Sequence, residues 1–215
     1  MELRNLGRSG LRASAVGLGC NNFALRLDLE QSRAVTHKAL DLGITFLDAA
    51  DVYGNRGGTE EFLGQILGSR RKDVVLATKF GGIMGDTDDM RGGSRRHVMR
   101  AVEASLRRLK TDWIDLYQFH RPDDRTPIEE TLRALDDLQR AGKVRYVGNS
   151  NVSAVQMTEA HWTARELKIE GFASSQNEYS LLAREIEDAL LPQMEKYGIG
   201  LLPFFPLASG LLSGK

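Results

Sequence analysis

The stretch "ITFLDAADVYG", residues 44–54, begins with apolar side chains and ends with two aspartates, a tyrosine and a glycine. The apolar part has the length and composition of a buried strand. Aspartate and tyrosine resist burial unless they find partners, so such a strand ends where polar groups meet water or a ligand. The stretch therefore predicts a core strand whose carboxyl end opens on a functional surface.

The same pattern recurs as an alternation of short apolar runs with amphipathic segments. After a hairpin predicted to turn at 6–12, strands are expected at 15–19, 44–49, 74–80, 113–119, 144–150, 171–176 and 199–205. Helices are expected between them at 31–43, 59–67, 94–109, 127–142, 153–168 and 185–198. Continuously apolar strands covered by helices predict a parallel sheet and the α/β class.

Capping patterns support the helix starts. Thr126, Pro127 and Glu129 have the spacing of a capping box, as do Ser153 and Gln156. Ser94 is the expected N-cap of the helix at 94–109.

Composition narrows the possible functions. The 215 residues carry 29 basic and 29 acidic side chains, which argues against a nucleic-acid binder or an electrostatic membrane anchor and favours a small-molecule partner. A length of 215 residues suits a single domain over 1–215.

Cys20 is the single cysteine and the four histidines lack metal-ligand spacing, so neither a disulfide nor a zinc site is expected. The polar, turn-rich beginning makes the cytoplasm the expected compartment.

Two closures of the sheet compete, an open doubly wound sheet and a (β/α)8 barrel. The first would carry G-x-G-x-x-G after its first strand, whereas "VGLGCNNF" at 16–23 lacks the third glycine. Polar residues instead follow nearly every strand: Asp48, Tyr53, Lys79, His120, Ser150, Asn151 and Gln176. In a barrel these ends converge on the face where active sites are found, so the sequence predicts a (β/α)8 TIM barrel with an N-terminal hairpin and seven readable strands.

Four of these residues form a chemically coherent set. Each of these residues also has an ordinary structural interpretation when it is considered alone. Tyr53 would be a half-buried aromatic residue, Lys79 a lysine that reaches water at a strand end, and His120 a histidine of the core. Together, an ammonium favours the phenolate of a neighbouring tyrosine, and Asp48 supplies the anion that a partly dry ammonium needs. Proton donation from tyrosine, with histidine orienting a substrate oxygen, suits carbonyl reduction. Without a metal, that reaction needs a nicotinamide or a flavin.

Six separated motifs give the sequence a close resemblance to the aldo-keto reductase family. They are "LDAADVYG", "LATKFG", "DWIDLYQFHRPD", "VRYVGNSN", "SQNEYSLL" and "LLPFFPLASGLL". The resemblance implies a (β/α)8 barrel that binds NADPH, or less often NADH, and reduces aldehydes or ketones without a metal.

The resemblance also implies roles for individual residues. Tyr53 would be the general acid, with Asp48 and Lys79 as its tuning pair and His120 as the orienting group. Tyr53, His120, Asn22 and Arg121 would contact the substrate. The nicotinamide carboxamide would be held by Ser150, Asn151 and Gln176, and its ring would stack on Phe204. The full implied cofactor set is Gly19, Cys20, Asn21, Asp48, Ser150, Asn151, Gln176, Phe204, Phe205, Pro206, Leu207, Ser209, Gly210 and Leu211.

The sequence departs from the family pattern at a few positions. Phe204 stands where the family often has tyrosine or tryptophan, Phe205 replaces a small polar residue, and Asn149 replaces a small apolar one. The family continues beyond "GLLSGK" with an eighth strand and with the segments that hold the adenosine and its 2′-phosphate. The sequence is therefore expected to be a portion of a longer chain, and it does not distinguish NADPH from NADH.

Two other functions remain open. One is an aldolase-like barrel enzyme that uses Lys79 to form a Schiff base. The other is a cofactor-binding regulatory subunit that binds a partner without significant turnover.

Overall fold

The computed structural model describes residues 1–214, in which nine strands and six α-helices follow one another. The hairpin consists of β1 (Leu3–Asn5) and β2 (Arg12–Ser14), and the remaining strands form one sheet. These strands are β3 (Gly17–Gly19), β4 (Phe46–Asp48), β5 (Val75–Phe80), β6 (Ile114–Phe119), β7 (Val144–Ser150), β8 (Ser174–Glu178) and β9 (Gly200–Phe204). The helices are α1 (Leu29–Asp41), α2 (Tyr53–Ile66), α3 (Arg95–Leu109), α4 (Ile128–Arg140), α5 (Ala154–Leu167) and α6 (Leu190–Tyr197).

The seven-stranded sheet is parallel throughout, and each strand pairs with the next one in sequence from β3 to β9. A helical segment lies between each pair of successive strands. The predicted α/β class and the predicted seven strands are therefore confirmed, and the curled sheet is consistent with a truncated TIM barrel.

The hairpin covers the amino ends of the sheet strands. Leu6 and Leu11 of the turn pack with Phe46, at the start of β4, in one buried cluster. The N–H of Arg8 donates a 2.8 Å hydrogen bond to the carbonyl oxygen of Gly198. At Gly7, where φ is +58°, a Cβ atom would lie 2.4 Å from that same oxygen, so this contact requires glycine. The carboxyl ends of the strands are consequently the free end of the sheet.

Two predicted elements have different bounds in the structure. The strand predicted from residue 171 begins at Ser174, because Phe172 packs into the buried cluster between sheet and helices. The helix predicted over 185–198 is a 3₁₀ turn, Glu185–Glu187, followed by the short α6. Pro192 explains the shortening, since its missing N–H and its ring are tolerated only in the first helical turn.

The capping predictions had different outcomes. Ser153 and Gln156 form the predicted capping box of α5, and Ser94 caps α3. The capping box predicted at Thr126 is wrong: α4 begins after Pro127 without a side-chain cap. The Thr126 hydroxyl instead donates to Asp123 Oδ2 at 2.7 Å, within the loop before the helix.

We expect Ser153→Ala to lower the free energy of unfolding by about 1 kcal/mol, because it removes the hydroxyl that accepts from the N–H of Gln156. Chemical denaturation followed by circular dichroism measures the change. Thr158→Ala is the control, because this hydroxyl bonds only to the Ala154 carbonyl within the same helix. An equal loss in both variants would contradict the capping role.

Candidate functional site

Polar side chains from five strands meet at the carboxyl end of the sheet. Asp48 ends β4, Lys79 lies near the end of β5, His120 follows β6, Ser150 ends β7, and Gln176 lies in β8. Because neighbouring parallel strands end at the same edge, the fold brings these predicted residues together.

Lys79 is the centre of this group. Its side chain is 0% exposed, and its Nζ donates to Asp48 Oδ2 at 2.6 Å, to the Ala49 carbonyl at 2.9 Å and to Tyr53 Oη at 3.3 Å. Burial acts to lower the pKa of Lys79, but the Asp48 carboxylate and these hydrogen bonds outweigh it and raise the pKa above the ordinary value. Lys79 is therefore a buried ammonium ion with all three hydrogens used.

Asp48 holds two further side chains at its other oxygen. Oδ1 accepts hydrogen bonds from Gln118 Nε2 at 3.0 Å and from Gln176 Nε2 at 3.2 Å. Gln118 was not predicted, although it lies in β6 two positions before His120, a spacing that places both side chains on the same face of the chain. A single carboxylate thus joins side chains from β5, β6 and β8.

Tyr53 stands at the start of α2, but the regular helix begins later. Gly54, Asn55, Arg56 and Gly57 all have positive φ, from 59° to 125°, and form a left-handed turn after the tyrosine. This turn sets the position of the phenol, whose oxygen accepts a hydrogen bond from Lys79. The hydroxyl proton of Tyr53 is therefore not used in that contact and is free to be donated.

His120 faces the tyrosine edge to face. The two ring centres lie 5.7 Å apart at an interplanar angle of 84°. Burial, with the charges of Lys79 and Arg121, lowers the pKa of His120 to about 4. Its Nδ1 has no hydrogen-bond partner among residues 1–214. At neutral pH the ring is uncharged and carries one N–H donor.

A second polar group lies beside the histidine, at the ends of β7 and β8. Ser150 Oγ donates to the Gln176 carbonyl at 2.8 Å. Asn151 Nδ2 donates to the His120 carbonyl and to Ser150 Oγ, each at 2.9 Å. The amide oxygen of Asn151 remains an acceptor at this edge, so the group suits a carboxamide that both donates and accepts.

The segment after β9 is largely exposed and contains several residues with positive φ. Phe204 is half-buried, and its ring centre lies 5.3 Å from that of Phe205. Phe205, Ser209 and Gly210 have positive φ, a backbone pattern whose N–H groups can form an anion-binding concavity. Phe205, Pro206, Leu207, Ser209, Gly210 and Leu211 are all exposed.

The remaining predicted contacts are more dispersed. Gly19 ends β3 opposite Asp48, with open space where a Cβ would lie. The Cys20 side chain is fully buried, and only its backbone N–H contacts Asp48. Burial raises the pKa of its thiol. Arg121 is exposed beside His120. Asn22 is half-buried, and its main-chain carbonyl oxygen accepts hydrogen bonds within the turn at 22–27.

Next to Tyr53 is a cavity of about 410 Å³. It is lined by Asn21, Leu25, Val52, Tyr53, Gly54, Asn55, Arg56 and Ile83. Its lining combines the polar residues Asn21, Tyr53, Asn55 and Arg56 with the apolar residues Leu25, Val52 and Ile83, a mixture that small-molecule sites also have.

The described residues offer few other kinds of site. Within residues 1–214 no three His, Cys, Asp or Glu side chains are grouped to hold a metal ion. No helix in the same range combines the length and the hydropathy required to cross a membrane.

Comparison with known proteins is consistent with this geometry. A model described as the aldo/keto reductase family matches residues 15–215. A probable voltage-gated potassium channel subunit beta of Oryza sativa subsp. japonica is 43% identical over the whole chain, which covers 66% of that protein. Uncharacterized oxidoreductase YrpG of Bacillus subtilis strain 168 is 41% identical, with 69% of it covered.

The L-glyceraldehyde 3-phosphate reductase of Escherichia coli K12 is 38% identical over the whole chain. The chain covers 64% of that protein, so it spans about two thirds of the length of these relatives.

The lowered pKa of His120 predicts how stability depends on pH. His120 has a pKa of about 4 when folded and an ordinary value of 6.5, so between these values the unfolded chain binds a proton that the folded protein does not. Lowering the pH from 7 to 5 should therefore reduce the free energy of unfolding by roughly 2 kcal/mol through this residue.

Urea denaturation of the wild type and of His120→Gln at both pH values measures this contribution. We expect the loss between pH 7 and pH 5 to be smaller in the variant. Identical losses in both proteins would show that His120 does not titrate as inferred.

Proposed function

The chain belongs to the aldo/keto reductase family, and on that premise we propose that it transfers a hydride from NADPH or NADH to the carbonyl carbon of an aldehyde or ketone. The observation that best supports this proposal is the contact of the buried Lys79 ammonium with both the Asp48 carboxylate and the Tyr53 hydroxyl. The match to the family and the oxidoreductase relatives support an oxidoreductase.

In this mechanism Tyr53 is the general acid. A bound reduced nicotinamide would supply the hydride to the carbonyl carbon, and Tyr53 would donate its hydroxyl proton to the carbonyl oxygen, so that an alcohol forms. The phenolate that forms is stabilised by Lys79, whose positive charge Asp48 keeps in place. His120, uncharged at neutral pH, donates its N–H to the same substrate oxygen and orients the carbonyl.

The cofactor would lie along the ends of β7, β8 and β9. Ser150, Asn151 and Gln176 would hold the carboxamide, and the hydrogen bond from Gln176 to Asp48 fixes that side chain in advance. Phe204 would stack on the ring, and the backbone at 205–211 would border the pyrophosphate. Both NADPH and NADH are compatible with these contacts, because none of them reads the 2′ position.

The cavity beside Tyr53 suits a small carbonyl compound. Its volume of about 410 Å³ and the apolar side chains of Leu25, Val52 and Ile83 in its lining would accept a small or hydrophobic aldehyde. The Escherichia coli relative is named for the reduction of a small aldehyde, L-glyceraldehyde 3-phosphate.

A second candidate is a cofactor-binding subunit that acts through a partner with little turnover. It is favoured by the relatives in Oryza sativa and Arabidopsis thaliana, which carry the name of a probable voltage-gated potassium channel subunit beta. Gel filtration with light scattering, with and without the cofactor, would detect the assembly that this function needs.

The Schiff-base alternative is less well supported. A Schiff base requires a neutral amine, whereas the pKa of Lys79 is raised and its ammonium donates to Asp48, Ala49 and Tyr53. Borohydride trapping of a carbonyl substrate on Lys79 would overturn this conclusion.

We expect Tyr53→Phe to lower kcat by about 10²- to 10⁴-fold, because it removes the proton donor. The dissociation constant of NADPH should change less than about twofold, since the proposed cofactor contacts are made by other residues. NADPH oxidation with an aromatic aldehyde, followed by absorbance, measures the first quantity and fluorescence titration the second.

Wild-type protein that binds NADPH but reduces none of a panel of aldehydes and ketones would favour the subunit function. Equal losses of kcat and cofactor affinity in Tyr53→Phe would contradict the role given to this residue.

A further inference from the structure

Glu60 is a buried carboxylate that the proposed mechanism does not use. It lies in α2, seven residues after Tyr53, and is 0% exposed. Its two oxygens have different partners: Oε1 accepts from Thr78 Oγ1 at 2.6 Å, and Oε2 accepts from the Arg108 guanidinium at 2.7 Å. A fully buried carboxylate is costly unless it is paired in this way, so its position is tightly determined.

Thr78 connects Glu60 to the strand that carries Lys79. Thr78 and Lys79 are successive residues of β5, so their side chains point to opposite faces of the sheet. Lys79 faces the site, and Thr78 faces the helices, where it meets Glu60. The hydrogen bond between Thr78 and Glu60 therefore joins α2 to β5 directly behind the ammonium.

Arg108 supports the turn that carries Tyr53. It lies in α3, and a Cβ atom on Gly57 would be 2.6 Å from Arg108 Cδ and 2.9 Å from its Nε. The arginine side chain thus packs against the end of the left-handed turn 54–57, while its guanidinium binds Glu60. A left-handed run that includes Asn55 and Arg56 is strained and persists only when its surroundings hold it.

Arg108 is the cation that pairs with Glu60, and its guanidinium lies 2.7 Å from Glu60 Oε2. The next carboxyl group, Asp51, has no hydrogen-bond partner for either side-chain oxygen among residues 1–214, and burial together with Glu60 raises its pKa well above the ordinary value. Removal of Arg108 would therefore leave the buried Glu60 carboxylate without the cation that it contacts.

We propose that Glu60 and Arg108 are positioning residues that maintain the 3.3 Å contact between Lys79 Nζ and Tyr53 Oη. Glu60 holds α2 against the strand of Lys79, and Arg108 holds the turn that places the phenol. The inference rests on the proposed function, in which this contact stabilises the phenolate formed by proton transfer.

The test compares the buried Glu60 and the partly buried Arg108 with their exposed neighbours. Glu60→Gln and Arg108→Met are the test variants; Glu61→Gln and Arg107→Met, at exposed positions of the same helices, are the matched controls. We expect kcat to fall about 10- to 100-fold in the test variants and less than about twofold in the controls, because small displacements of reacting groups have effects of this size. The dissociation constant of NADPH should stay within about twofold of the wild-type value in all four.

Crystal structures of Glu60→Gln and Glu61→Gln provide a measurement independent of turnover. We expect the separation of Lys79 Nζ and Tyr53 Oη to lengthen beyond hydrogen-bonding distance in Glu60→Gln and to remain near 3.3 Å in Glu61→Gln. An unchanged separation in Glu60→Gln would overturn the inference, as would a kcat equal to that of Glu61→Gln. A parallel loss of kcat and NADPH affinity would also overturn it, because general disruption of the fold has that effect.

Two further outcomes are separable. If the wild-type protein reduces no carbonyl compound, the proposed function fails, and the separation in the crystal structures still decides the positioning role. If Glu60→Gln does not fold, Thr78→Val is the second variant. It removes the hydrogen bond from Thr78 to Glu60 and keeps both charged residues, Glu60 and Arg108. It should lower kcat about threefold or more with NADPH affinity unchanged, and a wild-type kcat in this variant would overturn the inference.

Discussion

The ion pair between Lys79 and Asp48 is the interaction on which the site depends. An ammonium that is 0% exposed is tolerated only with a close anion and a complete set of hydrogen bonds. Asp48 supplies the anion and also accepts hydrogen bonds from Gln118 and Gln176. The same carboxylate therefore joins β4 to β5, β6 and β8. Removing one partner of a buried pair costs about 3–5 kcal/mol. Stability and chemistry therefore rely on the same atoms.

Much of this arrangement was predictable because it follows from repetition. Alternating strand and helix patterns indicate a parallel sheet, and a parallel sheet places the strand ends of Asp48, Lys79 and His120 together. The capping box of Ser153 was also predictable, since it involves only neighbouring residues. The capping box at Thr126 also involves neighbouring residues and was still predicted wrongly, because the Thr126 hydroxyl donates to Asp123, three residues before it, instead of capping α4.

The buried carboxylate of Glu60 marks the limit of what the sequence reveals. It is followed by Glu61, and nothing in "TEEFLG" distinguishes the buried residue from the exposed one. The difference arises from Thr78 and Arg108, which lie 18 and 48 residues further along the chain.

The relatives include proteins named as oxidoreductases and proteins named as channel subunits. The site is compatible with both proposed functions, catalysis and cofactor binding without turnover. The reason is that the proposed cofactor contacts and the proton donor Tyr53 belong to separate elements.

The hairpin at the amino end has a consequence for how the chain folds. Arg8 bonds to Gly198, 190 residues away, and Gly7 packs against the start of β9. During translation the hairpin turn can therefore form this contact only after Gly198 has been synthesised. Contacts of such sequence separation slow folding and leave intermediates exposed. Until β9 has been synthesised, the amino end of the sheet lacks the contacts that join the hairpin turn to Gly198 and Gly200.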